Sequence, residues 1–191
     1  MVNSRTGMEN RISFKYGLVI ALVVGLSWFI HELAHWVVAS IVFGYESAIT
    51  LNTVYLVDDT YNSESHMIWV SAAGPLLTLI LAGLTSWFLM KYGWEKWGYP
   101  VLVTAVYSRA LAGFFNLINL NDEGRIGHAL GVGSFTLSIV VTAVLVYWLV
   151  RVNRKYKPSK KFQWATIGLV VLFSSVLILT DQFFHITLWV G

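Results

Sequence analysis

Five long apolar stretches, each nearly free of charge, limit the fold of this chain more than any other feature. Backbone N–H and C=O groups find no water in hydrocarbon, so a segment that crosses a bilayer must satisfy them internally, as a helix does. A hydrocarbon core about 30 Å thick takes about 20 helical residues at about 1.5 Å each. The segments fall at roughly 16–43, 67–90, 97–120, 129–150 and 162–190, with ends uncertain by about 2 to 4 residues. The expectation is an all-α integral membrane protein of about five transmembrane helices, forming one membrane-embedded domain over residues 1–191.

Composition agrees with a lipid bilayer as the main surrounding. Apolar residues make up 57% and charged residues 12%, against roughly a quarter charged in soluble proteins. Many of the aromatic rings, among them Tyr16, Trp94, Trp97, Tyr99, Tyr147, Trp148, Trp164 and Trp189, lie near the ends of apolar runs, where rings sit at headgroup level. The net charge of +3 comes from short basic clusters between those runs, which excludes a nucleic-acid partner. With no cysteine in the chain, any metal must be held by His, Asp or Glu. Arg5, Arg11 and Lys15 precede an apolar run too long for a cleaved signal, so an uncleaved signal anchor is expected.

Arg5, Arg11, Lys15, Lys91, Lys96, Arg151, Arg154, Lys155, Lys157, Lys160 and Lys161 fall on one face of the five-span arrangement, and only Arg125 on the other. The excess of Lys and Arg on cytoplasmic loops places the N-terminus in the cytoplasm and the C-terminus outside. The expected location is a prokaryotic cell membrane. The longest connection, 44–66, contains a β-branched, aromatic and partly alternating stretch at 48–57, which reads as a strand or short hairpin at the membrane face.

The first segment carries His31-Glu32-Leu33-Ala34-His35. Two histidines four residues apart share one helix face and can offer ring nitrogens to one Zn²⁺, with the adjacent glutamate placed to act on a metal-activated water. Ionisable groups at membrane depth cost at least about 2 to 3 kcal/mol each, and a metal offers the compensation. A polar contact between helices is the other reading of the same residues. Zinc needs a third protein ligand, and Asp122 is the candidate, because the second half of the first segment and the end of the third approach the same membrane face. For Asp122 to reach the histidines the end of the third segment must dip inward, at a break near Asn119, Asn121 and Gly124.

The order of motifs resembles the site-2 protease family of intramembrane zinc metalloproteases. The resemblance rests on His31-Glu32-Leu33-Ala34-His35, on Ala72-Ala73-Gly74-Pro75-Leu76 in the next segment, and on Asp122-Glu123-Gly124-Arg125-Ile126 after Asn116-Leu117. It implies a three-helix catalytic core that cleaves transmembrane segments of membrane-protein substrates, with His31, His35 and Asp122 as ligands of one Zn²⁺ and Glu32 as catalytic base. Three departures stand out: Glu123 replaces a Gly, a Pro between Asn and Asp is missing, and Thr78 stands where an Asn often follows Gly-Pro. Glu123 is therefore an alternative third ligand. The family usually keeps its zinc nearer the cytoplasm, whereas the charge pattern here puts it toward the outer face.

Other residues carry two readings each. Asn116 and Asn119 serve substrate binding or a metal-bound oxyanion, or else join helices. Gly74-Pro75 permits a kink or close packing. The 48–57 strand receives an unwound substrate as an added strand or is an ordinary amphipathic loop. Asp181 and His185 share a helix face as a local ion pair, an outer shell or a second metal site. Arg109 must find a partner inside the protein. Selectivity is expected from a regulatory membrane partner or oligomer, or from the substrate helix's own instability. The competing function is a catalytically silent membrane scaffold or chaperone that keeps the fold; a metal-ion carrier is disfavoured because the inner halves of the first, fourth and fifth segments are nearly all apolar.

Overall fold

The computed structural model describes residues 11–184 and 186–191. Helix α1, Phe14–Trp36, opens on Ser13, whose hydroxyl accepts from the Tyr16 amide, and continues as a π-helical turn, Val37–Val42. A hairpin of β1, Ser47–Ile49, and β2, Val54–Leu56, follows. Helix α2 spans Glu64–Tyr92, capped by Ser63. Next come α3, Tyr99–Phe115, a short α4, Asp122–Ala129, then α5, Thr136–Tyr156, α6, Lys160–Phe184, and β3, Trp189–Val190.

Among the described residues, four helices are long and apolar enough to cross a membrane: 14–42, 64–92, 136–156 and 160–184. The expected boundaries of the last three segments need correction. The third, 97–120, ends as helix at Phe115, and its 17 residues make it the shorter apolar helix of the bundle. Asn116 caps it, and its Oδ1 accepts from the Asn121 amide, so the chain turns there. The fourth span begins at Thr136, later than the expected 129, because α4 and the turn around Gly131 and Gly133 occupy the interval. The fifth ends at Phe184, and its last residues become β3. His185 lies outside the described residues, as do the first ten residues with Arg5.

The expected hairpin forms, with Ser47 opposite Leu56 and Ile49 opposite Val54. β3 adds to the other side of β1, with Ala48 opposite Val190, so the order is β2-β1-β3 and β2 has an open edge. Ser40 Oγ and the Ser47 amide both donate to the Gly191 carbonyl, at 2.9 and 2.8 Å, which fastens β3 to the π turn.

The main core lies at the end of the bundle that holds the α5–α6 turn. Tyr16, Ile20, Val24, Leu89, Leu102, Leu145, Phe162 and Val170 are buried together, while Leu22, Trp87, Leu172 and Phe183 point outward. Outward apolar side chains over buried small and polar ones fit helices surrounded by lipid. The opposite half of the bundle is more polar inside, and His31, Glu32, His35, Arg109, Glu123 and Asp181 are all buried there.

Candidate metal centre

His31 and His35 come from successive turns of α1 and turn the same way, as four-residue spacing requires. Their Nδ1 atoms face α2. His35 Nδ1 lies 2.6 Å from the Val70 carbonyl, which only accepts, so this nitrogen carries the proton. His31 Nδ1 lies 2.9 Å from Thr78 Oγ1, and the hydroxyl already donates to the Gly74 carbonyl at 3.0 Å. Thr78 must accept, so His31 is also protonated on Nδ1. In the neutral rings each Nε2 then carries a lone pair, and the two atoms lie 3.1 Å apart.

Asp122 completes the arrangement. Its Oδ2 is 3.3 Å from His31 Nε2 and 3.4 Å from His35 Nε2. The carboxylate reaches the histidines because α3 stops at Phe115, and the chain re-enters through 116–121 before α4 opens on Asn121. Asn121 holds that break on three sides: its amide donates to Asn116 Oδ1, its Nδ2 to the Ala112 carbonyl, and its Oδ1 accepts from the Gly124 amide. Asp122 also sits in the first turn of α4, where the exposed N–H groups favour a negative charge. Two lone pairs and a carboxylate oxygen, all within 4.8 Å of one another, could hold a metal ion. Nitrogen and oxygen donors of this kind, with Nδ1 anchored behind, suit zinc or another divalent transition metal.

Glycine is required beside the rings. A Cβ at Gly74 would sit 2.3 Å from His35 Nε2 and 2.5 Å from His31 Nε2, so only a bare backbone lets α2 come this close. The sequence reading offered Gly74-Pro75 as a kink or a packing contact; packing is what the structure uses it for, directly against the two histidine rings.

Glu123, the alternative ligand, is outside the group. It is 2% exposed and pairs with Arg109 at 3.3 Å. Arg109 thus gains the partner that its sequence position required, and its guanidinium also reaches Asp122 Oδ2 at 3.4 Å and His31 Nε2 at 3.2 Å. Arg125, half-buried, donates to Asp122 Oδ1 at 3.3 Å. Asn116 is committed to structure, its Nδ2 donating to the Ser134 carbonyl and to Ser138 Oγ.

Beside the group lies a cavity of about 580 Å³, whose wall includes Glu32, Asn52, Thr53, Tyr61, Asn119 and Gln182. Glu32 is 6% exposed, and among the described residues no donor binds its carboxylate. Asn52, Thr53 and Val54 bring the beginning of β2 to the cavity wall. Tyr61, in the loop before α2, is kept as a neutral phenol because burial raises its pKa, with Arg125 opposing. Asp181 accepts from Thr50 Oγ1 at 2.8 Å and from the Leu51 amide at 3.2 Å, and so ties α6 to the hairpin turn; its expected partner His185 lies outside the described residues.

The sequence reading missed Thr78 as the anchor of His31, the Val70 carbonyl, and Tyr61 and Gln182 in the cavity wall. Thr78 had a usable signal, since it stands four residues after Gly74 on the same face of α2. A backbone carbonyl carries none.

Among the described residues, fold and site together define a helical protein with four helices long and apolar enough to cross a membrane and a group of two buried histidines and one partly buried carboxylate that could hold a metal ion. Comparison with protein-family models, with curated proteins and with solved structures finds no match. Function is therefore argued from the site's chemistry.

Proposed function

We propose that the chain is an intramembrane zinc endopeptidase that hydrolyses peptide bonds in or near transmembrane segments of membrane-protein substrates. The observation that carries this reading is the convergence of His31 Nε2, His35 Nε2 and the Asp122 carboxylate beside Glu32, on the edge of a large cavity. The ordered motifs that resemble the site-2 protease family add to it.

His31, His35 and Asp122 would hold the zinc, which when bound supplies Lewis acidity toward water and the scissile carbonyl. Glu32 takes one proton from the attacking water as its oxygen bonds to the carbonyl carbon. The same proton then passes to the leaving nitrogen as the C–N bond breaks. Arg109 and Arg125 hold Asp122 in place. The open edge of β2 beside the cavity offers backbone partners to an unwound substrate, whose own N–H and C=O groups would otherwise be bare in lipid. The basic loops favour a cytoplasmic N-terminus in a prokaryotic cell membrane, with the site toward the outer face.

Two measurements on purified protein test the proposal. Wild type should carry about one zinc per chain and His31→Ala much less; equal, negligible zinc in both would sink the metal site. Glu32→Gln should keep its zinc yet lose at least about 100-fold in cleavage of a reporter transmembrane segment, the scale of a general base. Cleavage at the wild-type rate would leave a scaffold or chaperone as the better reading.

A further inference from the structure

The bundle end that holds the α5–α6 turn carries most of the chain's positive charge. The turn and its flanks present Arg151, Arg154, Lys157, Lys160 and Lys161, all exposed, and the chain has no acidic residue between Glu123 and Asp181 to balance them. Arg11 and Lys15 at the start of α1 and Lys91 at the end of α2 are exposed at the same end. Packing brings these helix ends together. The Tyr16 ring lies 5.9 Å from Trp97 and 5.1 Å from Phe162, Trp94 lies 5.6 Å from Tyr156, and Lys155 Nζ donates to the Met90 carbonyl at 2.6 Å. Among the described residues, Glu95 is the one acid at this end, whereas Glu46, Asp58, Asp59 and Glu64 are exposed at the other.

Exposed aromatic side chains fix the depth of these charges. Trp87, Tyr92, Tyr147 and Trp164 point outward around the same end, and such rings sit at headgroup level in a bilayer. Lys91 Nζ lies 4.7 Å over Trp87 and 5.1 Å over Tyr92, and the Arg151 guanidinium 5.8 Å over Tyr147. The basic groups therefore lie at or just beyond the depth of lipid phosphates. Like charges crowded together repel one another, and a counter-charge relieves them. Clusters of about four to eight Lys and Arg beside a spanning helix suit anionic headgroups.

We infer that this end of the bundle is a docking surface for anionic phospholipid headgroups, with the α5–α6 turn as its main contact. A zwitterionic headgroup brings its own cation beside the phosphate and leaves the excess positive charge unanswered, whereas an anionic headgroup neutralises it. Each Lys or Arg near an anionic surface is worth about fivefold in binding. Lipid docking here rests on the helices crossing a bilayer and is independent of any peptide cleavage at the opposite end.

Native mass spectrometry of the purified full chain, released from detergent with equimolar phosphatidylglycerol and phosphatidylcholine, tests this. Wild type should retain phosphatidylglycerol at least about tenfold over phosphatidylcholine, and the preference should shrink as ionic strength is raised. Equal retention of both lipids overturns the docking surface and leaves an acidic soluble partner as the better reading of this face. That comparison needs no variant to fold. Substituting Arg154→Gln, Lys157→Gln, Lys160→Gln and Lys161→Gln together removes exposed charge from the turn and should bring the ratio to within about threefold of unity. The charge-keeping set Arg154→Lys, Lys157→Arg, Lys160→Arg and Lys161→Arg should retain the wild-type preference. An undiminished preference in the Gln set would take the turn out of the contact, and loss in both sets alike would mean that charge is not what binds; either result refutes the assignment.

Discussion

His31 donates through Nδ1 to Thr78 Oγ1 at 2.9 Å, and because Thr78 passes its own proton to the Gly74 carbonyl, this contact sets which nitrogen of His31 is bare. A hydroxyl on α2 thus decides which nitrogen of a ring on α1 is left to face Asp122. Outer contacts of this kind are worth about 10- to 100-fold in metal affinity. Thr78→Val should therefore weaken zinc binding by that factor in competition with a chromogenic chelator, and Thr78→Ser should restore most of it. Equal affinity for Thr78→Val and wild type would remove the hydroxyl from this role.

Gly74→Ala tests the closeness of α2 to the rings. The added methyl meets two ring nitrogens at 2.3 and 2.5 Å, and both rings are pinned from behind by Val70 and Thr78. Zinc content should fall close to zero while the helical circular dichroism stays near wild type. Gly25→Ala, with nothing within 4 Å of its new Cβ, is the control and should bind zinc normally. Full zinc occupancy in Gly74→Ala would mean that the rings can move aside.

What the sequence disclosed follows from the range of the interactions involved. Periodic and local features were legible: the apolar runs, the hairpin before α2, and the His31/His35 face are each fixed by residues a few positions apart. Asp122 was reachable only through the parity of helix ends, and the inward break it needed falls at 116–121, where Asn116 and Asn121 replace helical bonds with side-chain ones. The boundaries of the later helices were misplaced because hydropathy does not separate a spanning helix from the amphipathic α4 or from the strand at 189–190. The role of Thr78 and the tie between Asp181 and Thr50 join residues far apart in the chain, which local pattern does not reveal.

Asp122 and Glu123 are neighbours with opposite assignments. Asp122 faces the two histidines, whereas Glu123 is buried against Arg109. Asp122→Asn removes the charged oxygen from the group and should abolish tight zinc binding with a modest change in Tm. Glu123→Gln takes the counter-charge from a buried guanidinium, a change worth about 3 to 5 kcal/mol in comparable buried pairs. It should lower Tm strongly while the folded fraction still binds one zinc per chain. The reverse pattern would make Glu123 the ligand.

The hairpin depends on Asp181 for its position over the cavity. Its carboxylate, 4% exposed, binds both the hydroxyl of Thr50 and the amide of Leu51, while Thr50 Oγ1 in turn accepts from the Asn52 and Thr53 amides. The whole turn is thus built on one side chain of α6. Hydrogen bonds to a charged group contribute about 1.5 to 3 kcal/mol each, so Asp181→Ala should raise hydrogen exchange at the Leu51 amide by at least about tenfold. Amides in the middle of α5, which share no contact with the turn, should exchange as in wild type. A uniform rise across both regions would point to general destabilisation, and no rise at Leu51 would show that β1 and β3 alone hold the hairpin. If the hairpin presents β2 to substrate, the same variant should raise KM for a reporter segment more than it lowers kcat, because the carboxylate sets where the strand lies and takes no part in breaking the bond.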